Sequence, residues 1–242
     1  MDGTALAARF SLPTSRLRYC GPGEAPSLLY RTIVDGAGLR EAGRALLRFE
    51  ALGPYLTAIA RKHGRSPLDR DVVEAYWLGN GLLDGFTRED FHGILEGFVE
   101  RGLPRAIANR LSSRLPDHPI PHHAFHVAFV GVGVVTGHVR TTLENIERCR
   151  PSWGRVLEVG DGVLSLARPG LVMEGNRPRL GPASDAVARY DPAILRGVTP
   201  GDHVAVHWGW AVKVLESREL ANLEKYTHIA LEAPPSAALR VR

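Results

Sequence analysis

One stretch of sequence decides the fold of the C-terminal part: Arg155-Val156-Leu157-Glu158-Val159-Gly160-Asp161-Gly162-Val163-Leu164-Ser165-Leu166. Two alternating runs flank Gly160-Asp161-Gly162, and such a turn between two runs is a strong hairpin signal. A second turn is expected at Glu174-Gly175-Asn176, and a further strand over His203 to His207. Short strands with tight turns, followed by a helix-like tail, predict a small OB-like β-barrel with a C-terminal helix.

The chain before this barrel is predicted to be mostly helical. Apolar residues recur at steps of three and four from Leu39 to Ile59, which is the spacing of one face of a long helix. Thr87 followed by Asp90 gives a capping signal for another helix. The expected fold class is therefore α+β, with a helical domain over 1–148 that holds a histidine-rich segment and a barrel domain over 149–242.

The composition is that of an ordinary globular protein. Of the 242 residues 44% are hydrophobic, and the net charge is +4 with the basic residues scattered along the chain. Scattered charge favours a solvated surface over a nucleic-acid-binding face. No apolar run is long enough for a bilayer, and residues 1–12 lack the pattern of a signal peptide. We expect a cytoplasmic protein that binds neither nucleic acid nor membrane.

Cys149 and His207 are the first candidate metal ligands. Cys149 precedes the first predicted strand and His207 ends a later one, so the two side chains can meet at one rim of the barrel. Thiolate and imidazole are ligands that suit iron. Alternation along the strand places His203 and His207 on one face, opposite Val204 and Val206, which we expect to face the core.

Residues 149–242 resemble the HypC-like chaperones of NiFe-hydrogenase maturation. The matching positions are Cys149 with its spacing to Gly154-Arg155-Val156, the hairpin turn, Pro200-Gly201-Asp202, Val204 to His207, Gly209, Ala211, and the tail residues Glu219, Leu223 and Thr227. The resemblance implies that Cys149 and His207 bind iron, as Fe(CN)2CO or a precursor. It also implies that the partners are other hydrogenase maturation proteins or the hydrogenase large subunit.

One departure from the HypC-like pattern is large. In that family the cysteine follows the initiator methionine, whereas Cys149 lies inside this chain, after a predicted helix. A role for a free α-amino group beside the thiol is therefore excluded. The resemblance also leaves residues 1–148 unassigned.

Four histidines lie between Asp117 and His126 and form a second candidate site. His122 and His126 would share a face on a helix or on a strand, whereas His123 would point away on a strand. With a carboxylate, such a cluster supplies ligands used by non-haem iron. The candidate carboxylates are Glu50, Glu74 and Asp84. The alternative is a proline-rich loop whose histidines cap helices or satisfy buried carbonyls.

Cys20 and two tryptophans complete the set of candidates. Cys20 precedes Gly21-Pro22-Gly23 and is either a second sulfur ligand near Cys149 or a small buried residue at a turn. Trp208 and Trp210 either stack on a ligand or partner, or pack in the seam between the two domains.

The leading functional hypothesis is a hydrogenase maturation factor that binds or assembles iron with CN and CO ligands and passes it on. The alternative is a non-haem iron enzyme that acts through His122, His123 and His126, for example to supply the CO ligand, with a purely structural barrel. A nucleic-acid-binding barrel ranks last, because few aromatic residues are available for base stacking. The sequence leaves open whether the protein is an enzyme.

Overall fold

Helices form the N-terminal half of the computed structural model, which describes residues 1–239. They are α1 (Gly3–Arg16), α2 (Ala25–Asp35), α3 (Leu39–Leu47), α4 (Leu52–Lys62), α5 (Arg70–Trp77), α6 (Arg88–Val99) and α7 (Arg105–Ser112). The capping signal at the start of α6 is confirmed, because the Thr87 hydroxyl accepts from the Asp90 N–H and the Asp90 carboxylate accepts from the Thr87 N–H.

The single long helix predicted from Leu39 to Ile59 is wrong, since α3 and α4 divide this segment. Pro54 lies in the first turn of α4, and a proline inside one continuous helix would remove a backbone hydrogen bond and clash with the preceding turn. Predicted apolar positions are buried on both sides of the break between the two helices. Leu46 of α3, Phe49 of the connecting turn and Leu52 at the start of α4 are all buried.

An irregular segment links the helices to the barrel. It contains the short helix α8 (His123–Phe125), a π-helical turn over His126–Gly131, and α9 (Leu143–Cys149). The helix predicted before Cys149 is confirmed by α9. Val127 to Val130 form an apolar run that is buried in this π-helical turn. Gly131 has φ of 107°, and a Cβ there would lie 2.5 Å from the Ser236 hydroxyl.

Up to residue 239, the C-terminal half contains five strands: β1 (Ser152–Val159), β2 (Val163–Glu174), β3 (Arg177–Arg189), β4 (His203–His207) and β5 (Trp210–Val214). They pair in the closed order β1-β2-β3-β5-β4, with β1 antiparallel to β4 and a short parallel contact between β3 and β5. Both predicted hairpin turns are confirmed by the β1–β2 and β2–β3 pairings. The final helix, α10 (Ser217–Glu232), follows β5.

The helical part and the strands share one continuous core. The largest buried cluster contains Phe10 and Trp77 from the helices together with Trp153 and Ala205 from the strands. The barrel has its own smaller core, which includes Val204 and Val206. The predicted division between residues 148 and 149 falls at the last turn of α9. Within residues 1–239 no helix combines the length and apolar character needed to cross a membrane.

Ion pairs also join the two parts. The Lys213 ammonium of β5 pairs with the Glu219 carboxylate of α10, and both side chains are buried. The Glu74 carboxylate of α5 pairs with Arg218, also of α10, at 2.8 Å. These pairs hold α10 between the barrel and the helices.

Replacing Glu219 with Ala is expected to lower the free energy of unfolding by about 3–5 kcal/mol, because it leaves the Lys213 ammonium buried without its partner. Urea unfolding followed by circular dichroism measures this loss. Glu224→Ala, on the same helix and half-buried, is the matched control. Equal losses for the two variants would contradict the importance of the pair.

Candidate metal centre

Three buried side chains converge where the helices meet the barrel. Ligand atoms of His123, Cys149 and His207 all lie within 4.8 Å of one another. The Cys149 Sγ lies 3.6 Å from the His123 Nε2. His123 begins α8, Cys149 ends α9 and His207 ends β4, so the group forms only when these three elements pack together.

The alternation of β4 aims His207 at this group. Val204 and Val206 enter the barrel core, as predicted, so Ala205 and His207 face the helical part. The His207 Nδ1–H donates to the Phe10 carbonyl at 2.6 Å. Because Nδ1 then bears the proton, Nε2 presents a lone pair, and it has no hydrogen-bond partner among the described residues.

A tight turn keeps the end of β4 beside Cys149. Trp208 and Gly209 join β4 to β5 with φ values of 50° and 75°, the two left-handed residues of a type I′ hairpin. The Trp208 N–H donates to the carbonyl of Arg148 at 2.6 Å. The Trp208 indole is buried in a small cluster that includes Cys149. Of its two predicted positions, Trp208 takes the one in the seam.

The His123 ring is held by aromatic residues of α5. The Tyr76 hydroxyl lies 2.7 Å from His123 Nδ1, and the Trp77 ring centroid lies 4.5 Å from that of His123. This contact orients Nε2 towards the Cys149 Sγ. The His123 and His207 rings lie edge to face at 5.4 Å.

Burial keeps this group uncharged. It lowers the pKa of His123 well below its ordinary value, with smaller effects from His207, His126 and His122, and it lowers the pKa of His207 to about 4. Burial also raises the pKa of the Cys149 thiol. At neutral pH the group is a thiol and two neutral imidazoles. A metal ion would have to displace the thiol proton, because the thiolate is the ligand form.

A cavity of about 40 Å³ adjoins the group and is lined by Cys20, His126, Cys149 and Trp208 among others. This volume exceeds what one water molecule needs. Cys20 faces the cavity but is not part of the three-ligand group, and burial raises the pKa of its thiol to about 12. The His126 ring stacks on His123 at 5.9 Å, and its Nδ1 lacks a partner among residues 1–239.

The other candidates lie elsewhere. The His122 Nδ1 accepts the Ala124 N–H at the start of α8, so this histidine caps a helix, and its Nε2 is outside the three-ligand group. The carboxylates also have other partners. Glu50 accepts from the Gly21 N–H, Glu74 from Arg218, and Asp84 from the Tyr226 hydroxyl.

Two groups that hold the ligands could not be identified from the sequence. Tyr76 follows Val72 and Val73 in the apolar part of α5, and nothing in its local sequence distinguishes it from a core residue. The Phe10 contact uses a backbone carbonyl, which leaves no trace in residue type. Both contacts join residues that are far apart in the chain.

The folded protein should become less stable as the pH falls, because its buried histidines stay neutral while those of the unfolded chain take up protons. Burial lowers the pKa of His122 to about 3 and that of His126 to about 4, from an ordinary 6.5. Between pH 6.5 and 4 the unfolded chain therefore binds protons that the folded chain does not, so stability is lost as pH falls through this window. His122→Gln should flatten the slope by up to about 1.4 kcal/mol per pH unit.

Urea unfolding across this pH window measures the slope. His138→Gln, at an exposed histidine, is the control and should leave the slope unchanged. A His122 variant with the parental slope would show that this side chain is not neutral in the fold.

A family model described as a family of unknown function (DUF6390) matches residues 1–240. No curated protein and no solved structure matches the chain. The match includes the helices as well as the barrel, so both halves of the candidate metal centre lie within it. The chain belongs to the DUF6390 family.

Proposed function

We propose that this protein is a NiFe-hydrogenase maturation factor that binds iron carrying CN and CO ligands through Cys149, His207 and His123. One observation supports this most strongly. Cys149 and His207, the two positions that match the HypC-like motif, lie in one buried group of ligand atoms although they are far apart in the sequence. The closed strand order, followed by a helix, is also consistent with an OB-like barrel.

The ligand set suits an iron ion that brings anionic ligands of its own. Cys149 would contribute one negative charge as a thiolate, and both imidazoles are neutral. The described ligand group contains no carboxylate, so a bare divalent ion would leave net positive charge in a buried place. One cyanide ligand would cancel this charge and a second would leave the site with one negative charge, and the cavity that Cys149 lines offers room for a small ligand.

The helical part explains how an internal cysteine can serve this role. It supplies His123 directly and covers the site that a free N-terminal tail would leave open. Cys149 is fixed at the end of α9, where the neighbouring Arg150 pairs with Glu147 at 2.9 Å. In this proposal the helical part replaces or supplements a separate partner protein. The receiver of the iron is another maturation protein or the hydrogenase large subunit, in the cytoplasm.

The cavity favours one alternative. An iron enzyme that supplies the CO ligand would need space for a small substrate beside its metal, and Cys20 and His126 line such a space. Because His123 lies with Cys149, this enzyme would use the same metal site and not a separate histidine cluster.

Anaerobic purification, metal analysis and infrared spectroscopy test the proposal. We expect about one iron per chain and bands in the cyanide and carbonyl stretching region. Cys149→Ser and His123→Gln should lose both the iron and the bands, because each removes a ligand. His122→Gln is the matched control, since it changes a neighbouring buried histidine outside the ligand group.

Each contrary result points elsewhere. Iron that the parental protein binds through Cys149 without cyanide or carbonyl bands would favour the enzyme. Equal iron loss in the His122 and His123 variants would refute the specific ligand assignment. A parental protein that binds no metal under these conditions would refute the proposal.

A further inference from the structure

The two histidines of the metal centre are held in different ways. His207 donates from Nδ1 to a backbone carbonyl, that of Phe10. His123 makes the equivalent contact with a side chain, the Tyr76 hydroxyl, at 2.7 Å. A backbone carbonyl stays in place whatever the side chain is. The orientation of His123 therefore depends on the identity of one residue.

Packing holds the Tyr76 side chain in one position, so that it can orient His123. Its side chain is 1% exposed and packs against Trp77, whose ring also contacts both His123 and His207. His123 Nδ1 is the hydrogen-bond partner of the Tyr76 hydroxyl in the described structure. A buried hydroxyl whose partner is a ligand nitrogen fixes both the rotation of the imidazole ring and the nitrogen that faces the metal.

We infer that Tyr76 is a positioning residue of the metal centre, which holds His123 so that its Nε2 binds the metal together with Cys149 and His207. This inference rests on the proposed metal binding and adds a determinant from the helical part. In the metal-bound form the His123 Nδ1–H donates to the Tyr76 oxygen. A carboxylate in the place of Tyr76 would add negative charge to the site, whereas a neutral phenol orients the ring without doing so.

A second buried tyrosine provides an internal comparison. Tyr55 is fully buried in the same core, with its ring 5.2 Å from that of Tyr76, and it packs edge to face on His126. The Tyr55 hydroxyl has no hydrogen-bond partner among the described residues. The two tyrosines share burial and surroundings, and they differ in whether the hydroxyl touches a ligand histidine.

The test is a Co²⁺ titration of the full chain without oxygen, for the parental protein, Tyr76→Phe and Tyr55→Phe. Thiolate-to-cobalt absorption reports the Cys149 bond, and the ligand-field bands report the geometry around the ion. We expect Tyr76→Phe to bind roughly 10–100-fold more weakly. Its ligand-field bands at saturation should also be shifted. Tyr55→Phe should match the parental protein in both readouts.

A merely structural role would give a different result. Suppose that metal-free Tyr76→Phe is less stable to heat but keeps the parental cobalt affinity and bands. That result would overturn the inference. Equal losses of cobalt affinity in Tyr76→Phe and Tyr55→Phe would overturn it too. If Tyr76→Phe does not fold, 4-fluorophenylalanine at position 76 fills the space of the hydroxyl but removes its hydrogen bond to His123. Parental affinity and bands in that protein would equally refute the inference.

The same titration separates this inference from the proposed function. A parental protein that binds no Co²⁺ would overturn the metal centre and the role of Tyr76 with it. Parental binding through Cys149, with no effect at Tyr76, would overturn the positioning role alone and leave the metal centre in place.

Discussion

The backbone hydrogen bond from the Trp208 N–H to the Arg148 carbonyl is the contact on which the candidate site depends. It connects the β4–β5 turn to the last turn of α9, so the residues on either side, His207 and Cys149, become neighbours. The turn itself requires two consecutive left-handed residues, and Trp208 adopts this conformation without being glycine. Such a conformation is uncommon for a bulky residue and persists only where its surroundings hold it.

Helix α1 makes the second essential connection, through two consecutive residues. The Arg9 guanidinium donates to the carbonyls of Ile194 and Val212, which anchors the helix to the barrel backbone. The next residue, Phe10, offers its carbonyl to His207. Helix α1 therefore both docks the helical part on the barrel and orients the candidate ligand His207. This explains why the site belongs to neither half alone.

The local features of the fold were predictable from the sequence, and the long-range ones were not. Turn residues and alternation identified the hairpins, and the alternation of Val204 and Val206 correctly placed His207 outside the barrel core. The inclusion of His123 could not be derived in this way, since it depends on α8 and a π-helical turn packing against α9. The tyrosine contact is equally non-local, because α5 and α8 are separated by two other helices in the chain. Pro54 was the one local signal available and overlooked, and it divides α3 from α4.

The origin of the three ligands in three different elements has a thermodynamic consequence. A metal ion bound by His123, Cys149 and His207 is also a cross-link between α8, α9 and β4, so its binding energy adds to the cohesion of the junction. At a free concentration one hundred times the dissociation constant, this linkage amounts to about 2.7 kcal/mol. A partner that binds better when the junction is loose would lower the affinity for the ion. By reciprocity, the bound ion would lower the affinity for that partner by the same factor. The metal-bound and metal-free proteins would thus differ in rigidity at the junction between the helices and the barrel.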